Sequence, residues 1–194
     1  MSAAKQLWVL AGGNGAGKST FYRLFLQPVG LQFVNADLIA AELDKKNTEE
    51  LAYIASRVAE RLRYDLLKEG VSFCFETVFS HPSKIDFIAD AKALGYEVIL
   101  VFIHLQSDEL NQARVAQRVT EGGHGVPGDK IISRIPRTLA HIRAALSLVD
   151  QARICENSSL SDPFLPIAHL EGNQIMQMIS PLPEWADEML KDYF

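Results

Sequence analysis

Within Gly12-Gly13-Asn14-Gly15-Ala16-Gly17-Lys18-Ser19-Thr20, the eight residues from Gly12 to Ser19 complete the pattern G-x-x-x-x-G-K-[ST]. Glycines let a backbone turn its N–H groups inward around phosphate oxygens, and a helix starting near Gly17 would aim its positive end at the same charge. Gly12, Asn14, Gly15, Ala16, Gly17 and Thr20 therefore read as a phosphate cradle. Lys18 reads as the side chain that reaches the β- and γ-phosphates, and Ser19 as a ligand of Mg²⁺. An apolar run, QLWVLA at 6–11, stands directly before the loop, which is the strand this arrangement requires.

Two carboxylates follow at the ends of later apolar runs: Asp37 in Asn35-Ala36-Asp37, and Glu76 beside Thr77. In an open parallel sheet, ligands bind outside the carboxyl ends of the strands, so both acids would share a crevice with a bound triphosphate. An anion there is costly unless it serves Mg²⁺ or takes the proton of an incoming hydroxyl, and phosphoryl transfer uses both roles. Asp37 reads equally as the N-cap of a helix beginning at Leu38.

The basic residues gather in one later stretch. Arg114 and Arg118 are four apart on an expected helix, and Lys130, Arg134 and Arg137 follow a glycine-rich segment, Gly122-Gly123-His124-Gly125-Val126-Pro127-Gly128. Two basic arms joined by such a hinge suit a helical lid, here about 112–137, that closes over a γ-phosphate and excludes water.

The elements that must position these groups alternate. QLWVLA, LQFV (31–34), VSFCF (71–75), EVILVFI (97–103) and RIC (153–155) read as strands, with helical patterns between them. That order predicts an α/β, three-layer P-loop NTPase fold with a mainly parallel sheet of about five strands, in a single domain over 1–194. Leu51, Ile54, Val58, Leu62 and Leu66 recur at helical period across 48–68, with Asn47 and Glu50 as an expected capping pair. Further helices are expected over 83–94, 107–119 and 129–149, the last kinked or restarted at Pro136. A hairpin around Glu171-Gly172-Asn173 and a short helix from Pro183 end the chain.

Composition narrows the function classes. With 194 residues, 48% hydrophobic and a net charge of −5, the chain can bury a core without disulfides, and its acidity argues against broad nucleic-acid binding. Cys74 and Cys155 lie in apolar runs and read as core residues, so a soluble cytoplasmic protein is expected. The longest apolar runs fall far short of the roughly 20 residues of a membrane span. The five histidines show no ligand spacing, and no G-x-S-x-G supports a serine hydrolase.

Taken together, GGNGAGKST, VNADLIA, FETVFS, ARVAQRVTEGGHGVPGDKIISRIPRTL and RICENSS resemble the zeta toxin family of P-loop kinases over roughly residues 7–160. The resemblance implies a kinase that uses ATP and Mg²⁺ to phosphorylate a sugar hydroxyl of UDP-N-acetylglucosamine, with an antitoxin protein as partner. It implies Asp37 as catalytic base, Glu76 as a substrate-contacting carboxylate with Thr77 beside it, and Lys18 and Ser19 as phosphate and Mg²⁺ ligands. Arg118 and Arg134 would stabilise the transferring group. Ser133 and Ile135 depart from the family pattern around the lid arginine, which leaves Arg134 and Arg137 as alternatives. No hhhhD segment supplies a second Mg²⁺ ligand. A kinase for another metabolite, and an ATPase or switch module without an acceptor, are the competing readings; neither an LSGGQ-type nor an N-K-x-D motif supports the latter.

Overall fold

The computed structural model describes residues 4–43, 48–121, 123 and 125–194. Asn47 of the expected capping pair, and Gly122 and His124 of the hinge, lie outside them.

Seven strands form one sheet in the order β2-β3-β1-β4-β5-β6-β7. The first five are β1 (Gln6–Ala11), β2 (Gln32–Val34), β3 (Phe73–Thr77), β4 (Glu97–His104) and β5 (Gln151–Glu156), and all their pairings are parallel. The remaining two, β6 (Leu165–Glu171) and β7 (Gln174–Met178), are the expected hairpin. It does not stand apart: β6 pairs antiparallel with β5, so the sheet has seven strands rather than five. The apolar sequences of β1, β3 and β4 follow from their central places, where both faces are covered. Seven of the eight residues of β4 are buried.

Side-chain alternation divides the core into two layers. Leu7, Val9, Phe75, Leu100 and Phe102 face helices α3 (Thr48–Glu69), α4 (Ser83–Ala93), α6 (Gly128–Leu146) and α7 (Glu184–Leu190). Leu10, Cys74, Ile99 and Val101 face the segment after the loop, where α1 (Lys18–Phe21) passes into a wider π turn at Tyr22–Leu26. Both cysteines are buried and unpaired, as expected.

Two helices depart from their sequence readings. In α3 the core-facing residues are Ala55, Ala59, Leu66 and Leu67 together with Arg63, whereas Ile54 and Val58 are 50% and 45% exposed. The helix is thus turned by about one residue, roughly 100°, from the leucine-isoleucine stripe. Small alanines let it sit close, and the guanidinium of Arg63 lies over the Phe75 and Phe87 rings at 5.0 and 5.4 Å. In α6, Pro136 does not restart the helix, which is continuous from Gly128 to Leu146. Its ring removes the donor for the carbonyl of Ile132, but both residues are exposed, so water can serve that carbonyl. The remaining helices, α2 (Ala36–Leu43), α4, α5 (Asp108–Thr120) and α7, fall where the sequence places them or extend its pattern.

Candidate nucleotide and acceptor site

Strand β1 lies where the chain order reverses, with β3 on one side and β4 on the other. That is the switch point at which crevices open in such sheets. The loop leaves β1 here under tight contact. A side chain on Gly12, which has φ of 150°, would meet the Ile103 carbonyl oxygen at 2.2 Å. On Gly17, with φ of 100°, it would meet Asn157 Nδ2 at 2.5 Å. Only glycine satisfies both the backbone angle and the space at these points.

Two asparagines fix the loop from opposite sides. Asn111, from α5, donates Nδ2 to the Asn14 carbonyl at 2.7 Å. Asn157, just past β5, donates Nδ2 to the Ala16 carbonyl at 2.9 Å and accepts at Oδ1 from the Phe164 N–H at 3.1 Å. Both are more than nine-tenths buried. These bonds fix the directions of the Asn14 and Ala16 carbonyls. Sequence reading assigned neither a role: Asn157 lies within the quoted segment RICENSS and Asn111 in no motif, and their contacts span 141 and 97 positions.

Lys18 is 5% exposed and donates Nζ to the carbonyls of Gly12 (3.0 Å) and Gly13 (2.9 Å), with Glu76 Oε1 at 3.7 Å. Burial lowers its pKa, opposed by the carboxylates of Glu76 and Asp37 and reinforced by Arg118. Glu76 sits within β3 rather than beyond it, because the strand extends to Thr77. Its Oε2 accepts from Ser19 Oγ at 2.5 Å and from Asn35 Nδ2 at 3.0 Å. The Ser19 hydroxyl and the Glu76 carboxylate thus bring hard oxygen donors together in the crevice, a donor chemistry that fits Mg²⁺. No group of three or more His, Cys, Asp and Glu suited to a metal exists among the described residues.

The cap of α2 is Asn35, not Asp37. Asn35 Oδ1 accepts from the N–H groups of Asp37 (2.7 Å) and Leu38 (3.3 Å). Asp37 is thereby freed of the capping role, and its exposed side chain lines the same cavity as the loop. Thr77 also lines it, with Oγ1 accepting from the Phe79 N–H at 3.0 Å.

Arg114 and Arg118 from α5, with Lys130 and Arg134 from α6, line the same cavity of about 870 Å³ as the loop and Asp37. Arg134 Nη1 approaches Asn14 Oδ1 at 3.4 Å. Arg137 is not among the lining residues; its Nε turns back to the Ser133 carbonyl at 3.2 Å. Arg118 closes its helix against Gly123, whose N–H donates to the Arg118 carbonyl at 2.8 Å.

A larger groove of about 1120 Å³ lies between α6 and α7, away from these groups, and contains none of them. The crevice at the loop is the site with chemistry.

A glycine cradle after a central parallel strand, a lysine folded against it and an alcohol at the following helix define the P-loop kinase-like class of α/β proteins. The chain belongs to the zeta toxin family, whose model matches residues 2–161. An uncharacterized protein of Haemophilus influenzae is 33% identical to it over 132 residues, 64% of this chain and 94% of that protein. Among solved structures, a chain of the AvrRxo1-ORF1:-ORF2 complex with ATP superposes with a TM-score of 0.72 at 21% identity. That match covers 98% of this chain and 64% of the other, so the chain spans less than two thirds of that relative. The chromosomal PezAT toxin–antitoxin system of Streptococcus pneumoniae gives 0.64 at 15% identity, covering 99% of this chain and 85% of that one. No helix of the described residues is long and apolar enough to cross a membrane.

Proposed function

We propose that this chain transfers the γ-phosphoryl group of ATP to a hydroxyl of a small-molecule acceptor. The observation that carries the reading is the position of Asp37: released from capping by Asn35, it lines the same cavity as the phosphate loop, near enough for its charge to act on Lys18. Asp37 orients the acceptor hydroxyl and takes its proton as the oxygen attacks phosphorus. Lys18 and the loop N–H groups hold the β- and γ-phosphates, and Arg118 and Arg134 meet the charge that spreads over the equatorial oxygens. Ser19, with Glu76 behind it, would hold Mg²⁺, which when bound neutralises phosphate charge. Arms at 112–137 act as a lid that excludes water, protecting ATP from hydrolysis.

UDP-N-acetylglucosamine is the first acceptor to test, on the strength of family membership. An antitoxin partner is part of the same proposal, since related folds occur in a toxin–antitoxin system and in a two-protein complex. The proposed setting is the cytoplasm, where ATP is available.

The test is incubation with ATP, Mg²⁺ and an acceptor panel led by UDP-N-acetylglucosamine, read by mass spectrometry for one added phosphate. Asp37→Asn should cut turnover about 10²–10⁴-fold, the usual worth of a general base, with nucleotide affinity retained. ATP binding without transfer to any acceptor in a metabolite extract would refute the kinase reading.

A further inference from the structure

Two cations line the crevice that belong neither to the phosphate loop nor to the basic arms of α5 and α6. Arg63, on α3, is 7% exposed, and its Nε has no hydrogen-bond partner among the described residues. Its guanidinium is packed on the Phe75 and Phe87 rings at 5.0 and 5.4 Å. Lys84, at the start of α4, is half-buried, and among the described residues its Nζ donates only to the neighbouring Ser83 hydroxyl, at 3.3 Å. Both line the crevice together with Ser56, Ser80 and His81, and with Asp37 and Thr77.

The two charges are close enough to oppose each other. Burial lowers the pKa of Lys84, and the field of Arg63 lowers it further, while Glu60 partly offsets both effects. Burial likewise lowers that of Arg63, again with Glu60 opposing. Glu60 is the carboxylate whose field reaches them, yet no ion pair joins it to either cation among the described residues. A desolvated guanidinium without a polar partner is costly, and aromatic faces recover only part of that cost. Its planar fork suits two parallel hydrogen bonds to a carboxylate or phosphate. Nothing in the folding of α3 requires the charge, since an apolar side chain would cover the same rings.

We propose that Arg63 and Lys84 form an anion-binding subsite that selects an acceptor carrying its own phosphate or carboxylate group, held while its hydroxyl is presented to Asp37. This rests on the kinase reading for its role, though not for the binding itself.

The test uses the full chain with the loop saturated by Mg²⁺ and a non-hydrolysable ATP analogue, so that added anions must bind elsewhere. Calorimetry then compares three pairs of probes: UDP-N-acetylglucosamine with uridine, N-acetylglucosamine 1-phosphate with N-acetylglucosamine, and glucuronate with glucose. At least one anionic member should bind about tenfold or more tightly than its neutral partner, the equivalent of about 1.4 kcal/mol. The pair that discriminates identifies the anion as phosphate, diphosphate or carboxylate. Arg63→Gln should remove that preference and leave affinity for the ATP analogue within twofold, while Arg63→Lys retains part of it. Should Arg63→Gln fail to fold, Lys84→Gln, at a less buried position, must still weaken the anionic probe severalfold. Equal binding of charged and neutral probes, no binding of any anion, or an unchanged preference in both glutamine variants overturns the proposal. Anion binding without phosphoryl transfer would leave the subsite standing and refute the kinase reading; transfer to a neutral acceptor, unaffected by Arg63→Gln, would do the reverse.

Discussion

Replacing Asn157 with alanine removes one hydrogen bond to the loop, from Nδ2 to the Ala16 carbonyl, and one from the Phe164 N–H to Oδ1. Asn157 is 7% exposed, so both backbone groups lose partners where water has little access. A buried group left without a partner costs about 1–3 kcal/mol, and partial hydration of the new space should hold the total near 2–4 kcal/mol. Phe164 adds to this. Its φ of 56° is left-handed, a costly state for an aromatic residue, and Asn157 is one of the contacts that maintain it. The ring it places packs edge-on against Phe21 and Phe25 at 5.4 and 5.9 Å, beneath the phosphate loop. Urea unfolding should therefore show the lost 2–4 kcal/mol, and ATP-analogue affinity should fall about tenfold as the Ala16–Gly17 peptide loses its fixed direction. Asn157→Asp separates the two bonds, because it keeps an acceptor for Phe164 and removes the donor to Ala16. It should recover stability in part and affinity hardly at all. Combining Asn157→Ala with Asn111→Ala should cost less affinity than the two separate losses added together, since both act on one loop. A loss below about 0.5 kcal/mol with unchanged nucleotide affinity in Asn157→Ala would show that the clamp does not hold the loop.

Two further outcomes follow from the geometry. Arg134→Ala should lower turnover about 10³-fold while Arg137→Ala stays within threefold, because only the former lines the cavity; equal losses in a steady-state assay would refute that assignment. Burial holds His104 at about 4, against an ordinary 6.5, so the unfolded chain binds its proton first as pH falls. The stability contributed by neutral His104 is intact above about pH 6.5 and is lost down to about pH 4, some 3 kcal/mol at roughly 1.4 kcal/mol per pH unit. A His104→Gln variant should show a shallower decline in urea unfolding over that interval, and a parallel decline would contradict the assignment.

What could be read from sequence was what local residue types dictate. The loop was legible because glycine at strained angles, lysine and serine at fixed spacing are all required within nine positions. The central strands were legible because burial on both faces demands continuous apolar runs. Asp37 was legible only as a choice between two roles, and the competing claim of Asn35 on the N–H groups of α2 settles the capping one. The face of α3 was misread for a physical reason: alanines at 55 and 59 carry little apolar weight, and Arg63 counts as polar although its side chain lies on two phenylalanine rings. The roles of Asn111 and Asn157 could not be read, although Asn157 stands in the segment RICENSS, because both act on carbonyls distant along the chain.

The same distinction bears on charge. A net charge of −5 weighs against polyanionic partners when spread over the whole molecule. Yet among the described residues lining the crevice, eight are lysine or arginine and three are aspartate or glutamate. The acid surplus is therefore carried elsewhere, and the site is a positive well in an acidic surface. Such a well raises local concentrations of small polyanions and speeds their entry in a salt-dependent way, while the surrounding acid repels long polyanions that would have to lie across it. Net charge and site charge thus act on different partners. The first disfavours an extended nucleic acid, and the second favours a nucleotide and an anionic acceptor that fit together within about 870 Å³.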